Sequence, residues 1–524
     1  MRFLDAFRRT VRCHGGETAL VDDDGRTFTY AELDDRSTRL ANALRTRLGG
    51  GRCAVLGGNS PAAIEAMVTG HKRGAATAQL PFRGEAEEFV RMCESVDATG
   101  FVFDDANRET AEEVLARRDF EAAVHVGDAD VDAAGVESYE TVLSDADPTL
   151  DEALPAGGEC AIFFTSGTTS QPKAVPFDSE QLWYGAIQGV MEHGIDRTDA
   201  GIVATPWYHM VSSDAWIYPH FVAGATVVLH SEFDPAGLLE QIEEREATGL
   251  LAVPTQLNAV VDAQQSLERD TSSLEYVRTG GSVVSERLVE RMSEHVTDRV
   301  YNTYGMTEAG PNLTFALPED QRERPGTIGK EAHTYEIRVV EPAPITEHPD
   351  PGATVDAGEE GEIIARSPGC SDGYIDNPEA EAKSYFESGT PEDGASSGTW
   401  LRTRDVARID EEGYLYIVDR VDNMFVSGGE NVYPVEVEQA LEAHSTVSEA
   451  YVFGVDDDHW GRVVNAVVVT EGNVTEEELD EFCRERTDLA NYKRPRQYTI
   501  RTEDLPRTST GKIKRGAIAD QTSE

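Results

Sequence analysis

Along much of the chain, short unbroken apolar runs alternate with stretches of helical spacing. Thr29-Tyr30-Ala31-Glu32-Leu33 opens an amphipathic pattern that continues to about Leu48, and Cys53-Ala54-Val55-Leu56 then reads as a short buried strand. Asn59-Ser60-Pro61 supplies a cap and a first-turn proline for a further helix toward Lys72. The runs Gly201-Ile202-Val203-Ala204, Ala225 to Leu229 and Gly249 to Val253 repeat the strand signal, with helical patterns such as Pro235 to Arg245 between them. Continuous rather than alternating apolar strands predict parallel sheets covered on both faces, hence an α/β fold.

From about Ile328 the rhythm changes to β segments with turns, including Glu336 to Val340 and Gly361 to Ala365, around a Pro/Gly/acid-rich loop from Pro342 to Glu360. A last unit begins near Arg420. It has a turn at Ser427-Gly428-Gly429, a helix from Pro434, strands at Ala450 to Phe453 and Val463 to Val469, and a capping box pairing Thr475 with Glu478.

Length and charge refine this. The chain has 524 residues, against a prior of about 150 per domain, so several folding units are expected. With 46 Lys+Arg against 97 Asp+Glu the net charge is -51, a surface that repels nucleic acid and anionic membrane. Hydrophobic residues make up 39% of the chain and run along its whole length, so the acid belongs to the surface of a packed protein rather than to a disordered one. Lysine is confined to positions 72, 173, 330, 383, 493, 512 and 514, and an acidic, lysine-poor, folded chain suits a salt-saturated cytoplasm. The cysteines, Cys13, Cys53, Cys93, Cys160, Cys370 and Cys483, lie far apart without a C-x-x-C pair, which points to neither a disulfide framework nor a zinc site. Met1 to Cys13 alternates charge with single apolar residues and has no signal-peptide core. The expectation is a soluble, reduced, cytoplasmic protein.

Candidate chemistry begins at Thr165-Ser166-Gly167-Thr168-Thr169-Ser170-Gln171-Pro172-Lys173, which follows the apolar run Cys160 to Phe164. A strand that ends in small hydroxyl residues, a glycine and then a lysine reads as an anion-cradling loop, with phosphate as its guest. It is not the Walker pattern, since Lys173 is followed by Ala174, and a polar linker is the competing reading. Tyr304-Gly305-Met306-Thr307-Glu308 follows a β run, which would put Thr307 and Glu308 at the carboxyl end of a parallel strand, where ligands of open α/β sheets bind. Glu308 beside phosphate suits Mg²⁺; a strand-end turn with a solvated glutamate is the alternative. Thr403-Arg404-Asp405 places Asp405 in a β context able to accept from ribose hydroxyls, although in isolation it reads more readily as a surface aspartate of an acidic chain, and Asp419-Arg420-Val421-Asp422-Asn423 leads into Ser427 to Pro434 at a compositional boundary, a plausible hinge. Near the end stands Thr508-Ser509-Thr510-Gly511-Lys512, a rare lysine on a glycine-flanked stretch.

Together, in this order, these pieces resemble the acyl-adenylate-forming superfamily over about Thr29 to Arg515, and Ser427 to Pro434 with Trp460-Gly461 and Tyr492-Lys493-Arg494-Pro495 look most like carboxylate-CoA ligases of the benzoate and chlorobenzoate type. The resemblance implies a large N-terminal domain, residues 1–419, of two parallel-sheet α/β subdomains and a small β-barrel-like subdomain (about 328–419), then a small mobile α+β lid, residues 420–524, hinged near Asp422. It implies ATP, Mg²⁺ and CoA as cofactors and a two-step reaction: an aromatic or medium-chain acid becomes acyl-AMP with release of pyrophosphate, then a CoA thioester. A domain that loads a carrier-protein phosphopantetheine, or a non-catalytic nucleotide-binding protein, are the alternatives. The implied partners are small molecules, with no nucleic acid and no membrane insertion; a homodimer is compatible.

By the same resemblance Thr165, Ser166, Gly167, Thr168, Thr169 and Lys173 hold the β- and γ-phosphates, Tyr304 and Thr307 lie at the nucleotide with Thr307 on the α-phosphate, and Glu308 binds Mg²⁺. Asp405 and Arg420 hold the ribose, and Lys512 bridges the carboxylate and α-phosphate during adenylation. Gly428, Gly429 and Trp460 flank the pantetheine tunnel, and Tyr492, Arg494 and Arg496 meet the nucleotide end of CoA. His209 stands at the mouth of an acyl pocket that includes Gly281, Thr303, Gly305 and Met306; a satisfied core histidine is the other reading of His209. Two positions depart from the family: Ser170 stands where glycine is usual and is strained if its backbone is left-handed, and Arg404 stands where Thr-Gly-Asp is usual, with the flanking Thr403 and Asp405 kept.

Overall fold

The structure is a computed structural model, and it describes residues 1–150, 158–165, 172–282, 284–310, 312–344, 346–387, 398–428, 430–457, 460–470, 472–486, 489–503, 505–506 and 518. Contacts divide the chain into two compact units, residues 1–337 with 365–401, and residues 338–364 with 402–524.

The first unit carries two large sheets. One is seven-stranded, in the order Val136–Ser138, Ala122–Val126, Ala98–Asp104, Arg52–Leu56, Thr77–Gln79, Glu159–Thr165, Lys173–Asp178. All its pairings are parallel except the last, in which Lys173–Asp178 returns antiparallel to Glu159–Thr165. The other is nine-stranded, with a parallel centre formed by Val300–Tyr304, Tyr276–Gly280, Gly249–Leu251, Ala200–Val203, Thr226–Leu229 and Thr18–Val21. Antiparallel strands flank this centre on both sides. The apolar runs of the sequence thus occupy the buried central positions, as parallel strands require.

Local signals fix the helices. Thr29 caps Tyr30–Leu48, accepting from the Glu32 N–H at 3.2 Å while the Glu32 carboxylate accepts from the Thr29 N–H at 2.8 Å. Ser60 caps Pro61–Arg73, and Asp234 caps Pro235–Arg245. The aromatic residues Phe3, Phe7, Tyr30, Phe163, Trp207, Trp216 and Tyr276 share one core cluster with side chains from both sheets. Phe3–His14 is a helix, buried through Phe3, Leu4, Ala6, Phe7 and Thr10, where the sequence suggested only alternation. A π-helical segment, Ser213–Ile217, interrupts the helical run between Met210 and Ala223.

A five-stranded sheet is built from Glu336–Val340, Glu360–Arg366, Thr399–Ile409, Tyr385–Glu387 and Leu415–Arg420. In the second unit, Phe425–Ser427 and Glu430–Val432 form a hairpin. Further on, Val447–Asp457, Gly461–Thr470 and Gln497–Arg501 make a three-stranded sheet that packs with helices Pro434–Glu442 and Glu476–Glu485 around Val437, Leu441, Val452, Val468 and Leu479. No helix among the described residues is long and apolar enough to cross a membrane.

Candidate active site

In the first unit the site grows from the carboxyl ends of neighbouring parallel strands. Val300–Tyr304 runs into Gly305 and Met306 and then a single 3-10 turn, Thr307–Ala309. The Glu308 side chain in that turn is buried, and the Tyr374 hydroxyl donates to its Oε1 at 2.7 Å. Tyr374 is positioned by backbone bonds on either side: Ser371 N–H donates to Glu308 O at 3.0 Å, and Ile375 N–H to Ala174 O at 3.0 Å. Lys173 opens the strand beside Ala174, and its ammonium lies 4.8 Å from the centre of the Tyr374 ring. One tyrosine therefore links the loop lysine to the buried carboxylate.

Thr165, which ends one strand, and Lys173, which opens the next, are ladder partners. Ser166, Gly167, Thr168, Thr169 and Ser170 themselves lie outside the described residues, as do Gly429 and Lys512.

Glu308 fits a magnesium ion by its donor chemistry. It is a hard oxygen ligand held in place by Tyr374, at a strand end where phosphate would be bound. Among the described residues there is no group of three or more His, Cys, Asp and Glu able to cage a metal alone. Mg²⁺ needs no such cage, since it takes one or two carboxylates and completes its shell with phosphate oxygens and water.

The acyl-pocket positions sit at the same carboxyl edge. His209 follows strand Ala200–Val203 and is half-buried, with its ring 4.4 Å from that of Tyr208. Gly281, at φ +78°, is exposed just past Tyr276–Gly280. Thr303 is buried, and its hydroxyl donates to Thr279 O at 3.2 Å. Met306 and Tyr304 are half-buried against the main core, and Gly305 is exposed.

The second unit holds the nucleoside-side candidates. Asp405 and Arg420 are ladder partners and form an ion pair at 3.1 Å, and the Arg420 Nη2 also reaches Thr403 O at 3.5 Å. Arg404 has φ +62° and pairs with Asp422 at 3.4 Å, while Arg420 lies 3.8 Å from the same carboxylate. Asp419, which the sequence reading did not single out, is buried and organises this turn: its Oδ1 accepts from Arg420 N–H at 2.6 Å and its Oδ2 from Val435 N–H at 2.8 Å.

Gly428, at φ +62°, lies under the Trp460 ring, where an added Cβ would meet ring carbon at 2.6 Å, and its N–H donates to Trp460 O at 2.9 Å. Trp460 is itself exposed. Of the cationic stretch after it, Arg494 forms an ion pair with Asp480, Arg496 reaches Asn491 O at 3.4 Å, and Tyr492 packs against the C-terminal core.

Tyr374, which joins the candidates Lys173 and Glu308, was not singled out from the sequence either. It belongs to a turn-rich stretch with no periodicity, and the one local landmark is the cap after it, where Asn377 Oδ1 accepts from Ala380 N–H at 3.1 Å.

Comparison with known proteins gives this geometry a context. Residues 7–375 match the model of the AMP-binding enzyme family, and residues 436–512 that of the AMP-binding enzyme C-terminal domain. The chain is 32% identical to a feruloyl-CoA synthase of an Amycolatopsis species over 95% of this chain and 94% of that protein. It is 30% identical to an indoleacetate–CoA ligase of Aromatoleum aromaticum over 96% of this chain and 94% of its relative. Among solved structures, the o-succinylbenzoate CoA synthetase of Bacillus subtilis bound to its acyl-adenylate intermediate aligns with a TM-score of 0.82 at 27% identity, covering 98% of this chain and 97% of the other. The same synthetase with ATP and a magnesium ion aligns with a TM-score of 0.82 at 26% identity, covering 98% and 99%.

Proposed function

The chain belongs to the AMP-binding enzyme family, and on that premise we propose how its residues divide the work of an AMP-forming acid–thiol ligase acting on an aromatic acid. The enzyme uses ATP, Mg²⁺ and CoA: it converts a carboxylic acid to acyl-AMP with release of pyrophosphate, then passes the acyl group to the CoA thiol. A carboxylate is a poor acyl donor because it is anionic and would have to expel oxide. Attack of its oxygen on the α-phosphorus forms the acyl–phosphate bond as the bond to pyrophosphate breaks, and AMP becomes a competent leaving group.

Such a transfer needs positioning and stabilisation of charge on the phosphoryl oxygens. The link Lys173–Tyr374–Glu308 carries this reading, since it joins a cation from the phosphate-side loop to a buried carboxylate at a strand end. Glu308 would hold Mg²⁺, whose contribution when bound is to neutralise phosphate charge. Thr165 to Lys173 hold the pyrophosphate side, Thr307 and Tyr304 meet the nucleotide, and His209 with Gly281, Thr303, Gly305 and Met306 borders the acyl group. Asp405 and Arg420 orient the ribose hydroxyls. Lys512 bridges carboxylate and α-phosphate, and residues 420–524 form a lid that turns near Asp422 to admit CoA past Gly428, Gly429 and Trp460, with Tyr492, Arg494 and Arg496 at its nucleotide end. ATP, CoA and free cysteines together suit a cytoplasmic enzyme.

The test is acid-dependent pyrophosphate release across benzoates, phenylpropenoates and straight-chain acids, with thioester formation measured on free CoA and on a carrier-bound phosphopantetheine. Turnover with aromatic acids and free CoA is expected; transfer to the carrier alone would reassign the acceptor, and no turnover with any acid would overturn the reading. In the variant Lys512→Ala, adenylation should fall by at least ~10²-fold while CoA thioester still forms from supplied acyl-AMP; equal loss of both steps would remove Lys512 from its role.

A further inference from the structure

Just past the end of strand Val300–Tyr304 the hydroxyl of Tyr374 meets the carboxylate of Glu308, and each belongs to a side chain 6% exposed. The phenol donates to Glu308 Oε1 at 2.7 Å. A hydrogen bond to an ionised carboxylate is about twice as strong as a neutral one, so this contact governs how the carboxylate stands as well as filling space.

The backbone of the turn Thr307–Ala309 is held independently of that bond. Ser371 N–H donates to Glu308 O at 3.0 Å, and the Tyr335 hydroxyl donates to Ala309 O. Neither contact restrains the Glu308 side chain, which could still rotate about its own torsions. Tyr374 does restrain it, and Tyr374 is fixed from several directions. Ile375 N–H donates to Ala174 O at 3.0 Å and Ser371 Oγ to Pro176 O at 3.0 Å, which ties the chain on either side of Tyr374 to strand Lys173–Asp178. The Tyr385 ring stands edge-on to the Tyr374 ring at 5.9 Å, and the Lys173 ammonium lies 4.8 Å from the centre of that ring. Ser384 Oγ is 3.4 Å from the phenol oxygen. A phenol carries one proton, and with the carboxylate at 2.7 Å taking it, Ser384 is left to donate.

The bond makes the two carboxylate oxygens unequal. Oε1 shares the phenol proton, and Oε2 keeps the greater electron density to offer a cation. Mg²⁺ demands near-ideal octahedral geometry at short distances, so a misdirected carboxylate costs it more than it costs a larger and more tolerant ion. Hydrogen bonds from outside the coordination shell are what hold a ligating carboxylate in its working orientation.

Resting on the assignment of Glu308 to Mg²⁺, we propose that Tyr374 is a positioning residue whose hydroxyl aims the Glu308 carboxylate so that Oε2 faces the metal that accompanies ATP. Its contribution belongs to recognition of the metal, not of the nucleotide: affinity for ATP without Mg²⁺ does not depend on it. A bond that merely pinned the Ser371 to Ile375 stretch to the turn would affect stability and leave the metal dependence as it is.

The experiment measures the factor by which Mg²⁺ tightens ATP binding, by calorimetry on the full chain in molar KCl without any acid, as the ratio of the Kd for ATP in EDTA to the Kd in excess Mg²⁺. Tyr374→Phe removes the hydroxyl and keeps the ring that Tyr385 and Lys173 contact; Tm is followed alongside. The factor should fall by ~10-fold or more while the Kd in EDTA stays at the parent value. Tyr385→Phe makes the same chemical change in the neighbouring ring, at a hydroxyl that has no bond to Glu308, and should leave the factor as in the parent. An unchanged factor in Tyr374→Phe, or an equal fall in both Phe variants, overturns the proposal. Glu308→Gln separates the inference from its premise. A factor that collapses there but holds in Tyr374→Phe removes the positioning role alone, whereas a factor unmoved by Glu308→Gln overturns the assignment of Glu308 to the metal and the inference with it.

Discussion

Arg404 sits at φ +62° within strand Thr399–Ile409, a conformation that glycine adopts freely and an L-residue with a Cβ does not. The strain is local to the residue, and the compensation in view is the ion pair with Asp422, both partners of which are partly solvated. Such a pair contributes about 0–1 kcal/mol, against roughly 1 kcal/mol for the left-handed backbone. Arg404→Gly should therefore leave stability at or above that of the parent, and Arg404→Val should lower it by about 1–2 kcal/mol in urea melts; equal values for the two variants would contradict a left-handed backbone here. His71 makes a second residue-scale case. Its ring is buried between the Ser179 hydroxyl and the Tyr218 hydroxyl, each at 2.9 Å, and burial pushes its pKa down to about 3. The unfolded chain binds a proton near the ordinary value of about 6.5, so below that pH the unfolded state takes up a proton that the folded state refuses. The stability is fully present above 6.5 and declines as pH falls toward 3, reaching a loss of roughly 2 kcal/mol by pH 5. In His71→Gln that part of the slope between pH 7 and 5 should disappear; an unchanged slope would mean that His71 does not titrate this way.

At the scale of elements, helix Pro61–Arg73 packs closely on strand Glu159–Thr165, which ends at the loop proposed to hold the pyrophosphate side of ATP. Gly70 permits the approach: a Cβ there would meet the Cys160 carbonyl oxygen at 2.0 Å, a backbone atom that cannot step aside alone. Gly70→Ala should cost about 1–3 kcal/mol and lower adenylation more than a surface helix substitution of equal stability cost, because the displaced strand carries Thr165. A stable variant with normal kcat/KM for ATP would separate the helix from the loop. Elements of this kind were legible where their cause is local. The helix start at Thr29, the box at Thr475, the Ser60-Pro61 start and the helix Pro235–Arg245 follow from spacings of a few residues. Phe3–His14 was not, because Phe3, Leu4, Phe7 and Val11, interleaved with arginines, can be taken for alternation. Nor was Tyr374, whose bond to Glu308 spans 66 residues, nor the π turn at Ser213–Ile217, which no local sequence feature announced.

For the whole molecule, the class of fold and the order of the chemical motifs were readable because continuous apolar runs demand parallel burial and because each motif is contiguous. The buried polar cluster of Gln188, Arg278 and Asn312 was not, since each is an ordinary polar residue until the fold gathers them. Charge is the property that acts on the molecule as one body. A net -51 over 524 residues means that folding concentrates like charges on a finite surface. Many arginines are already committed to local pairs, such as Arg47 with Glu137 at 2.7 Å and Arg52 with Glu159 at 2.7 Å, and pairs of this exposed kind contribute only about 0–1 kcal/mol each. The residual repulsion has to be screened by the solvent. At about 0.1 M salt the screening length is about 10 Å and charges on neighbouring elements still repel; at about 1 M it is about 3 Å and they scarcely do. Tm should therefore rise by many degrees between low and molar KCl. Sodium chloride should reproduce most of the rise, since screening does not depend on cation identity, and acyl-adenylate formation should require the salt to the same extent as folding does. An unchanged Tm across that range would show that the acidic surface is not a source of instability and would remove the case for a salt-rich cytoplasm.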